Sequence, residues 1–282
     1  MNYKIISDSC CDHPEEGDFS WLHRVPLSIN LAGNSFIDDA SLKPASLLEE
    51  IAKSDTGPQS ACPSPGDFLE HYKGTEQDIY VVVLSKELSA TYESAMQAAT
   101  IFKEENPDKN IHVFNGKTAA AGLLLLSAKI QELASTGMAF QDVVKEVEAY
   151  QEAAETLFVL EDLDILRKNG RLNKVQAAIT STLRLKLVMG ATPEGTIQKV
   201  TQALSMSQAL NKMCSHVTSR VEKEFEGKLN YLVISHCFAK ERAELVKEKL
   251  KNSLQIKKVI VCKTGGISTM YANRGGIILS YR

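Results

Sequence analysis

Val82-Val83-Leu84-Ser85-Lys86-Glu87-Leu88-Ser89-Ala90-Thr91-Tyr92 is the stretch that decides the fold. The apolar run Ile79 to Leu84 breaks into hydroxyls and passes at once into a helix-forming segment. A continuous Val-rich run bounded by polar residues is the pattern of a strand buried on both faces, as in parallel sheets. Ligands of open α/β sheets bind beyond the carboxyl ends of such strands, which sets Ser85 and Ser89 where a ligand would lie. If Ser89 caps a helix through Glu93, its hydroxyl and the first free N–H groups face an anion together; an ordinary helix cap has the same pattern. A second hydroxyl-rich loop upstream, Gln59-Ser60-Ala61-Cys62-Pro63-Ser64-Pro65, favours the ligand.

Outward from that stretch the rhythm repeats. Apolar runs at Ile5-Ile6, Val25 to Leu31, Ile79 to Leu84 and Ile111 to Phe114 alternate with helical patterns, as in a parallel or mixed sheet with helices on its faces. Phe140, Val143, Val144 and Val147 mark an amphipathic helix ending near Glu155. Leu157-Phe158-Val159-Leu160 opens a new region. A basic turn, Arg167 to Arg171, leads into a helix through Leu183 and two strands near Leu185 to Met189 and Thr196 to Val200. The link Ala191-Thr192-Pro193-Glu194-Gly195 reads as a hairpin connection. A helix over Ser207 to Phe225, a strand at Tyr231 to Ile234, and a helix buried through Ala243, Val246 and Leu250 follow. The chain closes with a strand at Val259 to Val261, a Gly-rich segment from Gly265 to Gly276, and a strand at Ile277 to Tyr281. The expected class is α/β, with two α/β domains over residues 1–157 and 158–282 and a ligand site at their junction.

Composition removes several function classes. A net charge of −3 leaves no footprint for nucleic acid or an anionic membrane. No apolar stretch approaches the roughly 20 residues needed to cross a bilayer. Ala119 to Ala128 is interrupted by Gly122 and Ser127 and reads as a buried helix. The N-terminus enters a strand-like run without the long apolar region of a secretory signal. Six cysteines lack C-x-x-C spacing, so neither a disulfide framework nor a zinc site is expected, and a reducing cytoplasm is the expected compartment.

Catalytic patterns are sparse. The histidines are scattered without metal-ligand spacing, and no G-x-S-x-G elbow, Walker loop or G-x-G-x-x-G loop is present. His236 ends the Tyr231 to Ser235 run, where a satisfied core histidine is the simpler reading. Ser7-Asp8-Ser9 also ends a strand, suited to an anion or to a helix cap. Arg167-Lys168-Asn169-Gly170-Arg171 with Lys174 is a concentrated positive loop in which Gly170 permits a tight backbone and Arg171 a bidentate contact to phosphate or carboxylate. An enzymatic reading would be a hydrolase or phosphotransferase on a small anionic substrate, with Ser9 or Ser89 as nucleophile and Arg171 as clamp, although no base stands at a recognisable spacing.

Taken in order, these motifs resemble the DegV family of bacterial fatty-acid-binding proteins. Ser7-Asp8-Ser9 is similar to the family's opening S-D-S, Ser60 to Pro65 to its T-S-Q-P-S-P, and Leu84 to Tyr92 to its L-S-S-x-L-S-G-T-Y. Leu166 to Leu172 resembles L-x-K-G-G-R-I, and Leu185 to Val188 resembles I-K-P-I/L. The resemblance implies a non-enzymatic carrier without cofactor. One long-chain fatty acid would lie in an apolar tunnel between the domains, its carboxylate held by Ser60, Ser89 and the backbone of Ala90. Ala61, Ser85, Arg171 and Tyr271 fall at positions for head-group or partner contacts, and a fatty-acid kinase subunit is the implied partner. Tyr271 stands where the family often has His, Ala90 replaces a Gly, and Asn115-Gly116 replaces an Asp-Ser pair.

Overall fold

β3 (Leu22–Val25), β1 (Tyr3–Asp8), β7 (Asp78–Val83) and β8 (Asn110–Asn115) form, in that order, a four-stranded parallel sheet in the computed structural model, which describes residues 2–175 and 185–282. Alternate residues of β7 point to opposite faces. Tyr80 and Val82 join one apolar cluster; Ile79, Val81 and Val83 join another. The second cluster is covered by α2 (Pro65–Tyr72) and α3 (Thr91–Glu105) through Phe68, Tyr72, Ala95, Ala98 and Phe102. The first is covered by α4 (Ala121–Ala134) and α5 (Phe140–Ala153). The expected two-faced burial of the Ile79 to Leu84 strand is present.

A seven-stranded mixed sheet forms the other half. Its order is β11 (Ile197–Ala203), β10 (Lys186–Ala191), β9 (Glu155–Val159), β14 (Ile277–Tyr281), β12 (Lys228–His236), β13 (Gln255–Lys263) and β2 (His13–Pro14). Only β12 and β13 run parallel among these pairs. α7 (Met206–Phe225) and α8 (Lys240–Ser253) cover one face, with Met213, Val217, Ala243 and Val246 against Leu232, Ile234 and Leu279. The other face, through Tyr231 and Val233, meets α4. This sandwiching between two sheets explains the run Ala121 to Ala128: the helix is buried all round because both of its sides are core.

A small antiparallel sheet, β5 (Asn34–Ile37), β4 (Ser28–Leu31) and β6 (Gln59–Ala61), flanks the junction, and α1 (Pro44–Lys53) packs against the short α9 (Gly266–Ala272). One expectation is corrected here. Val25 to Leu31 is not a single strand: Pro26 lacks an N–H for the ladder, and the chain changes sheets there, from β3 to β4. The β10–β11 hairpin forms as expected, with Gly195 at φ +93°, a conformation open to glycine at no steric cost. Residue 157 lies inside β9, which belongs wholly to the seven-stranded sheet. The helix expected through Leu183 and the side chain of Lys174 lie outside the described residues.

Candidate functional site

Between the two large sheets runs an elongated cavity. One wall is the face of β9, where Leu160, Phe158 and Thr156 follow at every second residue and therefore share one side. Ile278 lies opposite Phe158 on β14, and Gly190 on the other side pairs with Leu157. Facing them are Leu27, Leu84 and Leu88 from the strand ends of the first half, with Ala119 and Ala120 from the loop before α4. Ile267, Tyr271 and Ala272 of α9 complete the wall. From Leu160 to Thr156 the strand spans about 13 Å, at roughly 3.3 Å per residue.

Polar groups gather near the Leu160 end. Ser60 on β6 and Tyr271 on α9 share a hydrogen bond of 2.9 Å between their hydroxyls. Ser89 Oγ lies 2.9 Å from Thr91 Oγ1 and accepts the Thr91 N–H at 3.4 Å. After α6 (Asp164–Lys168), Gly170 turns with φ +76° and delivers Arg171. The Arg171 guanidinium donates from Nε to the Leu88 carbonyl at 3.2 Å and from Nη1 to the Asn169 carbonyl. A guanidinium has five N–H donors, and two of them are spent in these bonds to the described residues, which anchor the side chain. Burial raises the Tyr271 phenol above its usual range, against the lowering pull of Ser60 and Arg171; the ring stays neutral and both donates and accepts.

The helix bearing Tyr271 is mounted on carboxylates from the N-terminal part of the chain. Asp38 accepts the N–H groups of Gly266 at 2.7 Å and Ile267 at 3.0 Å, and Asp12 accepts that of Gly265 at 3.1 Å. Asp8 holds the turn below by accepting the Cys10 N–H at 2.9 Å and the Leu84 N–H at 2.7 Å. Burial dominates all three carboxyls: Asp8 is pushed up to about 7, Asp12 to about 6, and Asp38 is raised as well.

Of the residues singled out in the sequence, Ser60, Ser89, Arg171 and Tyr271 line this cavity together; Ala61, Ser85 and Ala90 do not. Ala61 neighbours Ser60 on the strand and so faces the opposite side. Ser85 is buried, accepts the Glu87 N–H at 3.2 Å, and sits against the Gly195 turn, where an added Cβ would come within 2.3 Å of its oxygen. Ala90 is exposed and precedes the first turn of α3. The cap expected at Ser89 is therefore corrected: the helix starts two residues later, and Ser89 bonds to Thr91. Ser7-Asp8-Ser9 neither caps a helix nor meets the cavity. Ser7 donates to the Val82 carbonyl at 2.7 Å and Ser9 accepts the Leu27 N–H at 3.0 Å, tying β1 to its neighbours.

The arrangement does not favour the nucleophile reading. Ser9 is 2% exposed, and the hydrogen-bond partner of Ser89 is a threonine rather than a base. His236 is buried away from the cavity, accepting the Ala239 N–H at its Nδ1 and facing Glu15. Among the described residues no group of His, Cys, Asp and Glu could hold a metal ion, and no helix is long and apolar enough to cross a membrane. Sequence reading missed Thr118, Thr156 and Phe158. The alternation Thr156, Phe158, Leu160 could have revealed two of them; Thr118 carries no local signal.

Fold and cavity define an α/β protein of two large sheets and one small one, with a mostly apolar cavity between the large sheets. The chain belongs to the DegV family: the family model described as "Uncharacterised protein, DegV family" matches residues 2–281. A DegV domain-containing protein of Streptococcus gordonii is 34% identical over 288 residues, covering 100% of this chain and 99% of the relative. A DegV family protein of Ruminococcus gnavus, solved with vaccenic acid, superposes with a TM-score of 0.91 at 41% identity, covering 99% of each chain. The Fatty Acid Kinase (Fak) B3 protein of Streptococcus pneumoniae, loaded with linoleic acid, gives 0.89 at 30% identity over 100% of this chain and 99% of its own.

Proposed function

We propose that this protein binds one long-chain fatty acid in the cavity between its sheets and carries it, without itself catalysing a reaction or holding a cofactor, to a fatty-acid kinase subunit. The observation that carries this is the distribution of polarity: an apolar cavity with two hydroxyl pairs and one anchored arginine at the Leu160 end. Ser60 and Ser89 receive the carboxylate; Ala90, outside the cavity lining, is left out of this role. Tyr271 and Arg171 form the rim. Burial of the tail supplies the affinity at about 0.8 kcal/mol per methylene, so a dozen methylenes outweigh the several kcal/mol lost in immobilising the ligand.

The solved relatives loaded with vaccenic and linoleic acid support this reading, and the kinase name of the pneumococcal protein supports the partner. The exposed basic residues Arg167 and Lys168 beside Arg171 suit a docking rim for an ATP-using subunit. A division into two units with the cavity at their junction is part of the same reading, supported by the separate parallel and mixed sheets; the boundary at 157/158 moves to before Glu155, which keeps β9 whole. A cytoplasmic site of action fits six free thiols, five of them buried.

Extraction of the purified protein followed by mass spectrometry tests the function. A stoichiometric long-chain acid is expected, and folded protein that contains none and takes up none would overturn it. With kinase and ATP added, Arg171→Ala is expected to lower acyl phosphate formation at least about tenfold while lipid retention changes little, the contrast between a rim contact and tail burial.

A further inference from the structure

At the Thr156 end of the cavity the wall changes character. Thr118 Oγ1 lies 2.7 Å from Thr156 Oγ1, Thr156 Oγ1 donates to Ser280 Oγ at 2.9 Å, and Ser280 Oγ donates to the Glu155 carbonyl at 3.0 Å. Each hydroxyl has one proton. The proton of Thr156 is spent on Ser280, so Thr118 is the donor of the first link, with the Ala119 carbonyl at 3.4 Å as a second, longer acceptor for the same proton. No donor is left for a carboxylate, whereas a methyl group against these side chains forfeits nothing.

Behind the chain lies a second cleft, lined by Lys117, Gln151, Glu152 and Arg220, that shares Thr118 and Thr156 with the cavity. The hydroxyl chain is thus the partition between an apolar tunnel and a polar cleft. It is built tightly. Gly122, inside α4, leaves the space that Thr118 occupies: a Cβ there would stand 2.1 Å from Thr118 Oγ1. That contact explains a glycine in a helix otherwise made of good helix formers. Ser280, at the partition's far side, is 1% exposed.

We infer that Thr118, Thr156 and Ser280 form the tail stop of the tunnel and set the longest acyl chain the protein holds. The inference rests on the fatty-acid reading above. A tail one or two carbons too long must part Thr118 from Thr156, break their hydrogen bond and enter the polar cleft, so retention should fall sharply beyond a limiting length. Below the limit each further methylene buried strengthens retention about fourfold.

The test is competitive loading of delipidated full-length protein with an equimolar series of saturated acids from lauric to arachidic, read by mass spectrometry of the retained acids. The wild type is expected to show a sharp upper limit. Thr118→Ala opens the partition and should shift the ratio of the first excluded acid to the last accepted one by about tenfold. Gly122→Ala, which forces Thr118 aside from the helix, should shift it the same way, while Thr118→Val, which keeps the shape, should leave the limit in place. Unchanged ratios in both Thr118→Ala and Gly122→Ala would overturn the tail stop. A wild type that retains no acid at all would instead overturn the fatty-acid reading itself.

Discussion

The two ends of the cavity are both lined by hydroxyls, yet they do opposite things. At the Leu160 end, among the described residues, Ser60 and Tyr271 bond only to each other, which leaves one proton of the pair free, and Arg171 spends two of its five donors, on the Leu88 and Asn169 carbonyls. At the Thr156 end, Thr118, Thr156 and Ser280 spend every proton on one another and on the Glu155 and Ala119 carbonyls. The difference teaches that a polar residue marks a binding site by what its neighbours leave unsatisfied, not by being polar. The acids near each end repeat the contrast. Asp8, Asp12 and Asp38 under α9 are buried with N–H partners and have raised pKa values, whereas Glu155 meets His216 at 3.0 Å and Arg220 at 3.1 Å and is lowered despite its burial.

The largest expected effect separates the acids. Glu155→Ala leaves the part-buried Arg220 with the more exposed Glu224 as its remaining carboxylate, strips His216 and Tyr281 of a partner, and should cost roughly 3 kcal/mol in urea unfolding. Asp38→Asn keeps an acceptor for one of the two α9 N–H groups and turns an amide donor toward the other, and should cost about 1–2 kcal/mol, less than Glu155→Ala. Equal losses would erase the distinction between the two acid systems.

Next in size are the hydroxyls themselves. Ser60→Ala and Ser89→Ala should each weaken fatty-acid binding by about 1.5–3 kcal/mol, because each removes a donor to an anion. Thr156→Val should change the affinity for an accepted chain less than about twofold, since its proton never meets the ligand. Titration with a fluorescent fatty acid reads all three, and a Thr156→Val loss as large as the serine losses would break the comparison.

Thermal unfolding against pH sharpens it further. Asp8 and Asp12 sit above the ordinary aspartate value, so between about pH 4 and 7 the folded chain binds more protons than the unfolded one. Their contribution therefore favours folding at the acid side of that window and declines as pH rises. Glu155, lowered, contributes stability that is lost as pH falls through its folded value. His216, raised by Glu155, contributes stability present below its ordinary value and lost as pH rises through its folded one. Asp12→Asn should flatten the decline between pH 5 and 7, by about 1.4 kcal/mol for each pH unit over which the folded carboxyl alone stays protonated; an unchanged slope would contradict the assignment. The smallest effect is at Tyr271: Tyr271→Phe removes one neutral hydrogen bond and should weaken binding by about 1 kcal/mol.

Much of the fold was legible because local periodicity and tertiary burial agree. The strand Ile277–Tyr281 has the boundaries read from the sequence, and the helix Met206–Phe225 starts one residue earlier than expected. Ser60, Ser89, Arg171 and Tyr271 were legible because hydroxyls and a glycine-turned arginine stand at the ends of regular elements. Ser85 deceived for the same reason: its position at a strand end is right, but the Gly195 turn from the other half of the molecule covers it. The mounting of α9 was not legible at all. Asp38 and Gly266 are 228 positions apart, and nothing local distinguishes Asp38 from Asp39, which bonds to Ser41 nearby. Thr118 and Thr156, 38 positions apart, meet only because α4 wedges between the sheets.

The central claim is one of direction: carboxylate at Ser60 and Ser89, methyl end at Thr118 and Thr156. A crystal structure of the protein loaded with an ω-bromo fatty acid tests it most directly, because the bromine's anomalous signal marks the tail. The account predicts a single bromine peak in van der Waals contact with Thr118 and Thr156. A peak beside Ser60 and Tyr271, or outside the cavity, would contradict it.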